Sequence, residues 1–191
     1  MRLNKSLLAF SRLIHVYVSM ALLSLMIFFS ITGITLNHPQ WFAEQEAEVK
    51  EVELIIAQNL LSLESQGSLI DFLASERYIK GNKLSIERED EELFISDKGP
   101  GRYLSLTVDL ISGEAFIEAT DYGYWALLND LHKGRNSGDF WRFIIDLSAA
   151  LMILFSLTGF ILALAQRRMS KTVSLSIIST LLIIGIYFIW V

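Results

Sequence analysis

The chain of 191 residues has no cysteine, two prolines and three histidines, and no acidic residue before Glu44 or after Asp146. Without cysteine there is no disulfide, all-cysteine zinc site, iron–sulfur cluster, thiol nucleophile or c-type haem attachment. There is no glycine-rich phosphate loop and no basic surface for nucleic acid, and nothing is spaced as an EF-hand, a zincin or a hydrolase triad. The missing acid at both ends leaves only basic charge there, although the whole chain carries a net charge of −5.

What fills the ends is apolar. Hydrophobic residues make up 52% of the chain and concentrate in blocks 13–36, 143–166 and 172–191. Each reaches the roughly 20 residues that a helix needs to cross a bilayer. Block 13–36 carries no charge and as a helix is about 36 Å long. Arg2, Lys5 and Arg12 precede it, and Arg167, Arg168 and Lys171 lie between the second and third blocks. The positive-inside rule keeps both clusters in the cytoplasm, which puts the N-terminus inside and both the acidic segment and the C-terminus outside. A cleaved signal peptide fits less well, because the first run is long and ends in Asn37-His38-Pro39 without small residues at a cleavage site.

The expected division is a cytoplasmic N-terminus 1–12, span one 13–38, an external segment 39–140, span two 141–166, a cytoplasmic link 167–171 and span three 172–191. Pro39 stops the first helix, and Trp41-Phe42 suit the interface. From 44 to 63, Val49, Val52, Leu54, Ile55, Leu60 and Leu61 predict a surface helix; Gly67 breaks it and Ser68 caps a second one to about Glu76. The period then shortens. Residues 83–88, 92–96, 102–109 and 114–118 alternate between turns, which predicts three or four antiparallel strands and a small α+β domain. Trp125, Leu128, Leu131 and His132 return to helical spacing close to the membrane, with Gly134 placed to end the helix. The acidic run 87–92 reads as a solvated turn.

Spans one and two resemble each other. Ser30-Ile-Thr-Gly33 aligns with Ser156-Leu-Thr-Gly159, and Leu25-Met-Ile-Phe-Phe29 with Leu151-Met-Ile-Leu-Phe155. Small residues at matched places predict that the two spans pack together there.

Arg12-x-x-His15, Thr32-Gly33-x-x-Leu36-Asn37-His38-Pro39, Leu128-Asn-Asp-Leu-His132-x-Gly134-Arg135 and Trp141-Arg-x-x-x-Asp146 leading to Ser156-Leu-Thr-Gly159 together resemble the PepSY-associated transmembrane family, in its small three-span bacterial form. Val108-Asp109-x-x-Ser112-Gly113-Glu114 looks like the strand–turn–strand of a PepSY domain. The resemblance implies a bacterial inner-membrane protein with three transmembrane helices and a PepSY-like α+β extracytoplasmic domain between spans one and two. Larger relatives hold haem b on histidines and reduce ferric iron or ferric siderophores outside the cytoplasm. The chain is about half the length of those relatives and lacks their further spans and histidines.

On that resemblance His38 and His132, both external, are the expected haem-iron ligands. Arg135 and Arg142 are the expected propionate partners, and Phe29, Trp41, Trp125 and Trp141 the walls. His15, three residues after Arg12 on one helical face, has no second histidine on its side; either it completes a site in a two-fold dimer, with Arg12 beside it, or it is an interfacial residue. Asp146 is a carboxylate at membrane depth, which calls for a partner. It is either paired locally with Arg142 or a proton-coupled residue beside the haem. The function implied is haem-dependent ferric reduction supporting iron uptake, with membrane lipid, a second copy and a ferrous iron transporter as partners. The competing reading is a non-enzymatic module that binds a protein partner, or an accessory subunit of a reductase or transporter.

Overall fold

The computed structural model describes residues 4–42, 46–80, 83–166 and 169–190. Arg2, Arg167, Arg168 and the start of the expected surface helix at Glu44 lie outside the described residues. The chain forms two compact units, Met1–Met26 with Asp146–Val191, and Ile27–Ile145.

Among the described residues three helices are long and apolar enough to span a membrane: α1 (Lys5–Asn37), α4 (Gly138–Leu164) and α5 (Met169–Trp190). With mean hydropathies of 2.1 to 2.3, they are held by internal backbone hydrogen bonds that a bilayer cannot replace. Their hydroxyls add to this by bonding back into the same helix: Thr32 donates to the Phe28 carbonyl, Ser156 to Met152 and Thr180 to Ser176. In the first unit Ser11 and Leu22 on α1, and Ser148 and Thr158 on α4, are buried. Small side chains at such places let helix backbones approach. No described residue of α5 is buried. Its uniformly apolar surface suits lipid.

In the chain between α1 and α4 lies a five-stranded antiparallel sheet of order β1-β5-β4-β3-β2. Its strands are β1 (Glu48–Ile55), β2 (Leu84–Glu89), β3 (Glu92–Gly99), β4 (Arg102–Asp109) and β5 (Glu114–Asp121). Alternation sets one face inward, so Leu93, Ile95, Leu104, Leu106, Val108, Ala115 and Ile117 join Leu69 and Leu73 of α2 (Gln66–Ser75) in one core. At the β4–β5 turn the Asp109 carboxylate accepts the amides of Ile111 and Ser112 at 2.7 and 2.9 Å. Those bonds, Ser112 first, hold its pKa below the ordinary value.

Two expectations are corrected. The helix expected over 44–63 is instead the edge strand β1, fully registered on β5 from Glu48↔Asp121 to Ile55↔Glu114. The spacing of Val49, Val52 and Ile55 passes for helical, but these β-branched residues fit a pleated strand, and pairing with a distant segment decides between the two. That makes five strands rather than three or four. The second helix starts at Gln66, before Ser68, and contains Gly67 in its first turn; no side chain caps it.

Candidate functional site

The second unit builds its site at the C-terminal end of α3 (Gly123–Lys133), where His132 sits. Gly134, as expected, ends this helix in the left-handed conformation with φ 64°, and the Arg135 amide returns to the Asp130 carbonyl at 2.8 Å. The Leu131 carbonyl accepts both the Gly134 amide at 3.2 Å and the Trp141 indole N–H at 2.8 Å. A helix end satisfied in this way is rigid. Two side chains dock it. Asp130 accepts the Gly101 amide at 3.0 Å, and Asn129 accepts the Thr35 hydroxyl at 2.7 Å.

His132 Nδ1 lies 2.6 Å from Thr32 Oγ1, and that hydroxyl lies 2.7 Å from the Phe28 carbonyl. A threonine has one hydrogen to give and a carbonyl can only accept. Both contacts are therefore satisfied only when Thr32 donates to Phe28 and His132 Nδ1–H donates to Thr32. The Nε2 lone pair is left open. Phe29 presents its edge to the imidazole with ring centroids 5.1 Å apart. A Cβ on Gly33 would lie 3.7 Å from His132 Cε1, an ordinary contact.

Burial first, and the Lys133 charge second, hold His132 below the usual 6.5. A base with a depressed folded pKa binds fewer protons folded than unfolded. Its contribution is thus intact above 6.5 and is lost as pH falls from there through the folded value. Amide exchange over α3, corrected for intrinsic rate and compared with the sheet, is expected to accelerate on acidification from about pH 8 to 5, and His132→Gln to flatten the response. Unchanged α3 protection across that range contradicts the assignment.

The other expected site residues are placed as follows. The His38 ring stacks on Trp41, centroids 4.0 Å apart and planes within 5°. Among the described residues it shares no hydrogen bond or ring contact with His132. Arg135 pairs with Asp130 at 3.7 Å, and Arg142 with Asp139 at 3.2 Å. Trp141 meets Phe28 edge to face, and Trp125 meets Phe42. In the first unit Asp146 is exposed on α4 and makes no hydrogen bond or ion pair among the described residues; Arg12 is exposed on α1.

His15, also in the first unit, is engaged by α4. Its Nδ1 lies 3.1 Å from the Phe155 carbonyl and 3.0 Å from Thr158 Oγ1, and its ring stacks on Phe155 at 4.3 Å. Each Thr-Gly motif receives a histidine within its own unit, Thr32 that of α3 and Thr158 that of α1. Thr32 and Thr158 are thus the functional residues that sequence reasoning missed, although their aligned motifs were the signal.

Haem b, the group implied by the resemblance, can be tested against these residues. A neutral imidazole whose Nδ1–H is fixed by a neighbour is the form that ligates iron. No three His, Asp or Glu side chains gather as a metal site among the described residues, so an iron that brings its own macrocyclic nitrogens suits a lone imidazole. His132 would be the residue to hold the haem iron, through Nε2. His38 has its ring stacked on Trp41.

A small α+β sheet domain carried between membrane-spanning helices, with an imidazole fixed at its exit, defines an integral membrane protein. The chain belongs to the PepSY_TM-like family, whose model matches residues 9–191. No curated protein and no solved structure matches it.

Proposed function

We propose that this protein binds haem b and passes electrons to ferric iron or a ferric chelate at the external face of the bacterial inner membrane, supplying ferrous iron to a transporter. The observation that carries the reading is the Thr32–His132 bond, which leaves a neutral Nε2 open at the end of a well-capped helix. The basic flanks of the spans favour a cytoplasmic N-terminus and an external sheet domain.

Haem, when bound, supplies reversible one-electron chemistry. The chain's own part is to orient and exclude. Thr32 fixes the imidazole plane, and Phe29, with its edge against the ring, keeps water from one side. Arg135 and Arg142, now paired with Asp130 and Asp139, would be the cations for the propionates. Asp146 would accept a proton released when a donor of quinol type, losing two electrons and two protons, reduces two ferric ions; an unpaired carboxylate at the start of a span is costly and suits such a role.

Detergent-purified protein, expressed with haem supplied, is expected to show a Soret band and a sharpened α band on reduction, both lost in His132→Ala. Asp146→Asn is expected to keep the spectrum and slow ferric reduction about tenfold or more, within the range for loss of a proton-transfer group. Absence of any Soret band overturns the reading.

A further inference from the structure

One cleft in the second unit gathers positive charge on a chain that is acidic as a whole. It lies between the β3–β4 turn and α3 and has a volume of about 580 Å³, within the usual range for a small-molecule site. Lys98, Arg102 and Arg135 stand in its wall against one carboxylate, Asp130, and Tyr103 and Tyr122 add hydroxyls. The three cations are not equally engaged. Arg102 is committed to the buried Asp97 at 2.9 Å, whereas Arg135 holds Asp130 at 3.7 Å, near the limit for an ion pair. Lys98 has no acidic partner among the described residues, and its ammonium stands 5.6 Å over the Tyr103 ring. One unpaired cation and one loosely paired one leave the cleft with charge to offer an anion.

The spans set the level of this cleft. Residues 27–37 of α1 and 138–145 of α4 belong to the same unit. Thr35, in the last turn of α1, donates to Asn129 of the cleft wall at 2.7 Å, and Arg135 and Asn136 of the wall come just before Gly138, where α4 begins. Both helices therefore leave the apolar layer beside the cleft. Trp41, just past α1, is 62% exposed, as suits an interfacial layer. Charge along the sheet runs in the same sense. At the far end Glu89, Glu92 and Asp109 stand in register across β2, β3 and β4, and Glu114 opens β5. The cleft end carries Lys98 and Arg102; Glu48 and Asp121 stand there too, with Glu48 paired to Lys50 at 3.0 Å. An anionic surface thus attracts the end from which the spans leave and repels the other.

We propose that this cleft binds the phosphate of an anionic phospholipid headgroup, with Lys98 supplying the unpaired charge and Arg135 a second cation. A phosphodiester has unesterified oxygens that accept from ammonium, guanidinium and phenol donors, and a charged acceptor makes those bonds short and strong. A lipid is favoured over a dissolved anion because the bilayer holds headgroups at high effective concentration at this level. Bound there, the headgroup braces the β3–β4 turn against α3, which the bond from the Gly101 amide to Asp130 already joins at 3.0 Å. The lipid then steadies the helix that carries His132. None of this depends on what His132 binds.

The test titrates phosphatidylglycerol into the detergent-purified full chain and follows amide exchange of residues 98–103 and of α3. Protection is expected there, with the sheet core unchanged as the check on folding. Lys98→Gln is expected to raise the midpoint about fivefold, and Lys98→Glu, a change of two charges, about 30-fold. Lys50→Gln removes a cation at the same end of the sheet that is outside the cleft and already paired, and is expected to leave the midpoint where it is. Phosphatidylcholine and inorganic phosphate at the same concentrations are expected to protect nothing. Equal shifts in the Lys50 and Lys98 variants would mean general attraction to a charged surface and overturn the cleft. Protection by inorganic phosphate would make a dissolved anion the occupant and overturn the lipid, as would equal protection by phosphatidylcholine. No protection by phosphatidylglycerol overturns the inference outright. Each of these failures leaves the haem reading standing, because Lys98 has no part in it and Arg135, which the two share, is intact in every variant.

Discussion

Gly101→Ala is expected to undock α3 and to lower protection of its amides about 100-fold, which corresponds to roughly 3 kcal/mol. Gly101 has φ +66°, a conformation in which a side chain is strained, and a Cβ there would lie 2.7 Å from both Cα and N of Leu127. Those are backbone atoms of α3, so no rotamer change relieves the overlap. The same residue anchors the helix in two ways. Its amide donates to Asp130 Oδ2 at 3.0 Å, and its carbonyl accepts the Tyr122 amide at 2.9 Å. Moving the turn away from α3 breaks both, and His132, one helical turn from Leu128, is drawn off Thr32. On the proposed haem reading, the variant loses any haem signal that depends on His132 together with the protection of α3. Gly67→Ala is the control: nothing lies within 4 Å of its Cβ position, and alanine favours the helix it sits in by up to about 1 kcal/mol. Equal protection of α3 in the Gly101 and Gly67 variants would refute the docking role.

Asp97→Ala is the second large effect, expected at about 3 kcal/mol, the low end for breaking a buried ion pair. Asp97 occupies an inward position of β3, in line with Leu93 and Ile95, and is completely buried. Its Oδ2 accepts Arg102 Nη2 at 2.9 Å and the Lys80 amide at 2.8 Å. Alanine leaves the Lys80 amide without its acceptor and the guanidinium without its anion. Arg102 is about one-fifth exposed and can turn to water, which is why the cost stays at the low end. Asp97→Asn keeps the size and can still accept the Lys80 amide, so about half the loss is expected from the same principle. Amide exchange of β3 and β4 in the intact protein measures both; protection unchanged in the alanine variant would refute the pair's contribution.

Much of this architecture is legible in the residues, for reasons that differ from element to element. The spans are read from length and absence of charge, properties local to each helix. Strands β3, β4 and β5 are read from alternation, because one face of each is truly buried. The edge strand β1 is not legible in that way. Nearly all of its residues are exposed, so burial leaves no period-two imprint, and its state is decided by β5 far along the chain. The site divides similarly. Gly134 as a helix end and His132 on the last turn before it follow from local chemistry. The partner of His132 does not, since Thr32 is 100 residues away in sequence and a Thr-Gly pair in an apolar helix reads equally well as helix packing. The tautomer is further out of reach, because it depends on where a single hydroxyl hydrogen goes.

The pairing of the first strand with the last has a consequence for biosynthesis. Glu48 stands across from Asp121 in the β1–β5 ladder, where partner Cα atoms are about 5 Å apart. The polypeptide thus enters and leaves the sheet through one doorway. As the chain is synthesised, β1 appears first and must wait, unpaired, until every other strand has followed and β5 arrives beside it. A waiting strand with open amides invites the wrong neighbour. Glu48, Lys50, Glu51 and Glu53, spread through β1 and exposed in the finished fold, keep that strand soluble while it waits.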